Sequence, residues 1–308
     1  MGSKKYLKNL FFERGFSAIN GYKNKDEKLY HCPICAAPFD RKSLDDGTLT
    51  LEHIPPEAQG GKGIALTCSM CNNTAGHSVD AAVANRNEVL GIEPLFTQKG
   101  KYSGRVKINF GKDNLEAVNA DLSVEDSKVR IYLVGKSNHP NTPDKIKEYF
   151  KENNQNISSG NASTIKFSTR QRYHFQHSKV GDLRTAFLVC FAFFGYRYAF
   201  DKRLETVRNQ IINYDEKIID GYWFQADIGD EPDTNLYIIE KPFQALSVRL
   251  GKISVLLPWF DSPDNFYDFV VKEYLPDSGR IMFSGERLKW PQSLEMNLDR
   301  HIKKSKTK

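Results

Sequence analysis

The sequence lacks a hydrophobic run long enough to cross a membrane. Its most apolar stretch, Ala186–Phe194, is far shorter than the roughly 20 residues that a transmembrane helix needs. The first residues, Met-Gly-Ser-Lys-Lys, also lack the apolar segment of a secretion signal. These two absences predict that the protein has no membrane partner and that it is cytoplasmic.

The chain also has little excess charge of either sign. Its net charge is +6, with 12 Lys/Arg against 11 Asp/Glu in residues 1–100 and 32 against 27 in the remainder. Such a surplus is compatible with binding to a phosphate backbone, but it does not by itself indicate a nucleic-acid partner. The class of partner must therefore be inferred from motifs.

Cysteine is scarce, and its placement is informative. Four of the five cysteines form two C-x-x-C pairs, Cys32 with Cys35 and Cys68 with Cys71. In a chain without a secretion signal, such pairs indicate metal binding before disulfides. Two pairs of thiolates complete a closed tetrahedral Zn²⁺ site. The fifth, Cys190, lies in an apolar helical pattern and is predicted to be a buried core thiol.

The segment between the two pairs is longer than a zinc site requires. It has 32 residues, whereas the usual zinc-ribbon gap is about 15–20. It holds the pair Glu52-His53 on a predicted strand, followed by a turn at Gly60-Gly61. Adjacent side chains on a strand point to opposite faces. Glu52 and His53 can therefore serve one site only if the strand is twisted or bulged between them.

A helix predicted to start near Cys71 faces this hairpin and offers further ligands. A nuclease needs a divalent cation to neutralise the scissile phosphate and a base to deprotonate water, and Glu52 supplies a hard oxygen ligand. Asn73 and His77 are four residues apart and would share a helical face. Asn72 directly follows a zinc cysteine, which would fix its position. The pattern leaves the choice between Asn72 and Asn73 open.

Together these features resemble the HNH endonuclease family, in the subgroup whose ββα-metal core carries two C-x-x-C zinc knuckles. The resemblance rests on the knuckles, Glu52-His53-Ile54-x-Pro56, the Gly-Gly turn and the asparagine after the second knuckle. It implies that His53 is the general base and that Glu52 and the Asn72 position hold a catalytic Mg²⁺ or Mn²⁺ ion. It also implies that His77 lies near the position of the last ligand to the catalytic metal ion. Glu52 stands where the family usually has aspartate, so its arm is longer by one methylene.

The predicted fold class is α+β, with a small zinc-stapled HNH module followed by a larger α+β domain. The module is predicted at residues 1–99, with its core at 30–90 and a polar lead-in at 1–29 that has one short apolar patch, Leu10–Phe12. The second domain, residues 100–308, is predicted to serve target recognition, sensing or partner binding. Its predicted helices include residues 142–150, 182–199, 204–214 and 265–274, and its predicted strands include 106–110, 129–133, 236–239, 253–257 and 280–283.

The primary hypothesis is a metal-dependent endonuclease that hydrolyses DNA, with RNA as the other substrate left open. Restriction and phage-defence effectors are suggested by analogy with the family alone. A second hypothesis is a zinc-knuckle module that binds nucleic acid or protein without cleaving. A third is a nuclease that stays silent until residues 100–308 sense a ligand or an activating protein partner. Double-strand cleavage would favour a homodimer, but the sequence leaves the oligomeric state open.

Overall fold

The computed structural model describes residues 2–23, 28–57, 60–90, 101–109, 118–125, 128–158, 166–168, 174–226, 233–275 and 281–296. Its helices are α1 (Gly2–Lys23), α2 (Ser69–Ala75), α3 (Ala81–Leu90), α4 (Thr142–Ser158), α5 (Phe175–Phe194), α6 (Tyr196–Ala199), α7 (Glu205–Ile212) and α8 (Phe266–Tyr274). Its strands are β1 (Tyr30–His31), β2 (Pro38–Phe39), β3 (Leu49–Ile54), β4 (Lys62–Cys68), β5 (Lys101–Asn109), β6 (Val118–Glu125), β7 (Lys128–Leu133), β8 (Lys166–Ser168), β9 (Trp223–Gln225), β10 (Asp233–Lys241), β11 (Ala245–Gly251), β12 (Ile253–Pro258) and β13 (Ser284–Leu288). The mixture confirms the α+β class. Within the described ranges, no helix combines the length and apolarity needed to span a membrane.

The chain forms two compact units, and they do not follow the predicted division at residue 100. The first unit, here the main unit, joins Met1–Ala84 to His174–Lys308, and the second, the inserted unit, is Asn85–Tyr173. The segment with the four paired cysteines therefore shares its unit with residues 174–308. The reason is the packing of the long helix α5. Its partners in the β3–β4 hairpin lie more than a hundred residues earlier in the chain, so a local sequence window cannot identify them.

The β3–β4 hairpin and α2 give the ββα order that the motif predicts. The strands are antiparallel, and their register shifts between Glu52, opposite Ala65, and His53, opposite Gly63. This is the bulge that the adjacent Glu-His pair requires. The turn before β4 depends on Gly61, because a Cβ there would lie 1.5 Å from the Pro55 carbonyl oxygen.

Helix α5 is the centre of the main unit. Every residue from Val180 to Phe194 is buried, including the polar residues Asp182, Arg184 and Thr185. It contacts β3 and β4 of the hairpin and also β11 and β12, which belong to an antiparallel five-stranded sheet of order β13-β10-β11-β12-β9. Burial on both sides fixes α5 relative to the hairpin.

The predicted polar lead-in at residues 1–29 is wrong, because residues 2–23 form α1. Its residues Phe11, Phe12 and Ile19 are each about 1% exposed, and α1 contacts β1, β3 and β4. Phe12 and Ile19 are seven residues apart, which is a helical spacing, but the surface that buries them is built from later parts of the chain. Helix α1 is thus part of the core around the hairpin.

The inserted unit is a four-stranded antiparallel sheet of order β7-β6-β5-β8 with helix α4. Strands β5 and β7 confirm the predicted strands at 106–109 and 129–133, while residue 110 lies outside the described residues. In the main unit, the helices predicted at 204–214 and 265–274 and the strands at 236–239 and 253–257 are also confirmed. The predicted helix 182–199 begins earlier, at Phe175. The strand predicted at 280–283 is wrong, because 281–283 are not in a strand and β13 begins only at Ser284, while residue 280 lies outside the described residues.

Candidate functional site

The four paired cysteines converge on one point. Their sulfur atoms all lie within 4.8 Å of one another, and Sγ of Cys35 is 3.7 Å from Sγ of Cys68. A tetrahedral zinc ion with Zn–S bonds of about 2.3 Å places its sulfurs roughly 3.8 Å apart. The residues present therefore fit a structural zinc ion. Among the described residues, no other group of three or more His, Cys, Asp or Glu side chains is gathered closely enough to hold a metal.

Backbone amides surround the thiol cluster. The Cys68 amide donates to Sγ of Cys32 at 3.5 Å, and the Cys71 amide donates to Sγ of Cys68 at 3.4 Å. Such bonds favour thiolate over thiol. Cys32 and Cys68 are buried, so the cluster joins the end of β4 to the first knuckle inside the core.

The cysteines differ in their acidity because they share hydrogen bonds while being unequally buried. Burial raises the pKa of Cys32 well above its usual value. The hydrogen bond with Cys32 lowers the pKa of Cys68 to about 7. Four thiolates this close repel one another, and a bound cation removes that repulsion.

Glu52 is buried beneath the hairpin and is held by two donors. Its side chain is 3% exposed. Oε2 accepts a hydrogen bond of 2.7 Å from Oγ1 of Thr67 and another of 2.8 Å from Nη2 of Arg184. Among the described residues no donor hydrogen-bonds to Oε1 of Glu52.

Arg184 links Glu52 to a second carboxylate, that of Asp80. Its Nη1 lies 3.5 Å from Oδ2 of Asp80, and Oδ1 of Asp80 is buried without a hydrogen-bond partner. Burial raises the pKa of Asp80, an effect that Arg184 opposes and Glu52 reinforces. Burial alone would lower the pKa of Arg184, but Glu52 and Asp80 raise it above its usual value. Arg184 is therefore charged.

His53 has different surroundings from Glu52. It lines an open cleft of about 400 Å³ formed by α1, the hairpin and residues 292–293. Arg14 and Lys62 line the same cleft, and Glu57 is its acidic member. Glu52 is not among the lining residues. The bulge lies between Glu52 and His53 as expected. Their side chains nevertheless have different neighbours, because Glu52 contacts Thr67 and Arg184 whereas His53 lines the cleft.

On the helix side, Asn72 and Asn73 are distinguishable. Asn72 is partly buried, and its Nδ2 donates to Oγ1 of Thr50 at 3.0 Å. Thr50 and Glu52 are two residues apart on β3, so they share a face of the hairpin. Asn73 and His77 are exposed. The structure therefore brings Asn72, and not Asn73, to the Glu52 face.

Two charged residues at this site were not predicted from the sequence. Asp80 lies three residues beyond His77 at the end of the π-helical segment Gly76–Asp80, and Arg184 lies 132 residues after Glu52. One signal pointed to Arg184: a charged residue in an otherwise apolar helix is almost always paired when buried. The identity of its partners could not be inferred from one sequence.

Comparison with known proteins gives a family match, and it covers the segment that contains the cysteine cluster and the hairpin. Neither the curated proteins nor the solved structures contain a match to the chain. A protein-family model described as HNH endonuclease matches residues 32–88, a range that spans both zinc knuckles, the β3–β4 hairpin and the α2 region. Residues 32–88 are thus similar to an HNH endonuclease module, and they contain a four-cysteine cluster that fits zinc.

Proposed function

We propose that the protein is a metal-dependent endonuclease that hydrolyses phosphodiester bonds in DNA. The observation that carries this proposal is the position of His53. It lines an open cleft beside Arg14 and Lys62, on a hairpin that the four-cysteine cluster holds in place. A base beside two cationic side chains in an accessible cleft suits a phosphodiester substrate.

In this proposal His53 takes a proton from a water molecule, whose oxygen attacks phosphorus. The bond between phosphorus and the 3′ oxygen breaks, so the products carry a 5′ phosphate and a 3′ hydroxyl. Arg14 and Lys62 would hold neighbouring phosphates by charge. Arg14 is itself anchored, because its Nη1 donates to the Leu294 carbonyl oxygen at 3.0 Å.

When bound, a divalent cation such as Mg²⁺ or Mn²⁺ would stabilise the negative charge that develops on the phosphate during the reaction. The donors on the Glu52 face suit such an ion, which prefers oxygen ligands. They are Oε1 of Glu52, the Asn72 amide oxygen and the buried, unpartnered Oδ1 of Asp80. Asn73 and His77, both exposed, remain the alternative ligands from the helix.

The inserted unit is proposed to contact the nucleic-acid backbone. Residues 85–173 contain 15 Lys/Arg and 10 Asp/Glu, a surplus of five out of a net charge of +6 for the whole chain. Positive charge of this kind supplies sequence-independent attraction to phosphates. The surplus supports a role for this unit in target binding.

A cleavage assay tests the proposal on its substrate. Purified protein is incubated with supercoiled plasmid, linear double-stranded DNA and RNA, each with Mg²⁺, Mn²⁺ or Zn²⁺ and each with EDTA. We expect Mg²⁺- or Mn²⁺-dependent nicking or linearisation of the plasmid, because an endonuclease needs no free end. A protein that binds zinc and nucleic acid but cuts none of these substrates would instead be a zinc-knuckle binding module.

A further inference from the structure

Arg184 connects the proposed nuclease site to the C-terminal part of the chain. Its side chain is 1% exposed, and its two terminal nitrogens reach two different carboxylates, Glu52 and Asp80. We propose that Arg184 is a positioning residue of the nuclease site, which holds Glu52 by Oε2 so that Oε1 is presented to the divalent cation. This inference rests on the proposed function.

The charge count separates this role from that of a simple structural ion pair. One guanidinium and one carboxylate neutralise each other, but here a single guanidinium faces two carboxylates. One oxygen of Glu52 and one of Asp80 are left over, and that of Asp80 is buried without a partner. An excess negative charge with unused oxygens is costly unless a cation offsets it. A proton on Asp80 or a bound cation removes this excess, and the unused oxygens of Glu52 and Asp80 are the ligand type that a divalent cation takes.

The position of Arg184 is fixed by close backbone packing. Gly181 lies one turn earlier on α5, and a Cβ at Gly181 would be 2.5 Å from Cγ2 of Val83 and 2.8 Å from the Val79 carbonyl oxygen. Val79 precedes Asp80 in the chain. Helix α5 therefore lies directly against the segment that carries Asp80, and glycine permits that approach.

Lysine is not an equivalent of arginine here. A guanidinium presents its donors as a rigid planar fork, so it can hold Glu52 and Asp80 at the same time. An ammonium group keeps the charge but concentrates it at one point. Arg184→Lys therefore preserves the charge of the site while it releases the fixed orientation of Glu52.

The test measures Mn²⁺ binding directly, by electron paramagnetic resonance on the zinc-loaded full-length protein, together with plasmid cleavage. We expect Arg184→Lys to weaken Mn²⁺ binding by about 10- to 100-fold, the usual effect of losing a partner that orients a metal ligand. Zinc content should stay unchanged, and raised Mn²⁺ should partly restore the cleavage rate. The matched control is Arg203→Lys. Arg203 pairs with Asp201 at 2.8 Å in the same unit, and its replacement should change neither quantity.

A folded Arg184→Lys protein with the zinc content and the Mn²⁺ affinity of the wild type would overturn the inference. Should this variant fail to fold, Gly181→Ala gives the same test. It displaces α5 while keeping Arg184, and an unchanged Mn²⁺ affinity there would also overturn the inference. A wild-type protein that binds no Mn²⁺ and cuts no plasmid would instead refute the proposed function.

Discussion

Replacing His53 by alanine is expected to abolish plasmid cleavage while the protein remains folded and zinc-loaded. General-base catalysis by a positioned side chain contributes about 10²–10⁴-fold to a rate, and losses of that size leave no visible product in a gel assay. His53 lies on the surface of a cleft, not inside the core. Its removal should therefore leave no buried cavity. The measurement is the initial rate of nicking of a supercoiled plasmid with Mg²⁺.

The control for this variant is Glu286→Ala. Glu286 is exposed on β13 and does not line the cleft of His53. We expect its replacement to leave the nicking rate within about twofold of the wild type, as for surface changes away from a site. A His53→Ala protein that nicks plasmid at the wild-type rate would show that another group activates water.

Replacing Cys68 by serine is expected to remove zinc and unfold the region around the hairpin. Structural zinc contributes about 10–16 kcal/mol of apparent binding free energy in small zinc modules, and a serine hydroxyl does not replace a thiolate ligand. Cys68 is 2% exposed and packs in the same core as Phe11, Phe12 and Cys32. The loss should therefore spread to α1. Metal analysis and thermal unfolding of the purified proteins measure both effects.

Cys190→Ala is the matched control for Cys68→Ser. Cys190 is equally buried but lies on α5, outside the four-cysteine cluster. It should keep one zinc ion per chain and lose only the stability of a small core cavity. A Cys68→Ser protein that retains one zinc ion per chain and the wild-type melting temperature would contradict the assignment of the cluster.

The parts of the site that the sequence predicts are those set by local spacing. The C-x-x-C pairs predict the zinc site because two cysteines at that spacing can bind one side of a tetrahedral zinc ion. The adjacent Glu52-His53 pair requires an irregular strand, and the register does shift between them. The position of Asn72 after Cys71 agrees with its contact to Thr50. Each of these features depends on neighbours close in sequence.

The parts that could not be predicted depend on distant packing. Helix α1 is built around Phe11 and Phe12, whose partners include Tyr30 and the hairpin. Arg184 meets Glu52 only because α5 is buried between the hairpin and the five-stranded sheet. Local patterns identify α5 as an apolar helix, but they do not specify which surface it packs against. The division of the chain into units failed to follow the predicted boundary for the same reason.

The chemistry of the cleaved ends tests the central claim most directly. The claim is that water activated at His53 hydrolyses the phosphodiester bond, with the 3′ oxygen as the leaving group. Plasmid nicked by the wild-type protein with Mg²⁺ is purified and treated with DNA ligase alone. We expect most nicks to be sealed, because ligase requires the 5′ phosphate and 3′ hydroxyl that this reaction leaves. Nicks that ligase seals only after the 3′ phosphate is removed and the 5′ end is phosphorylated would contradict the account.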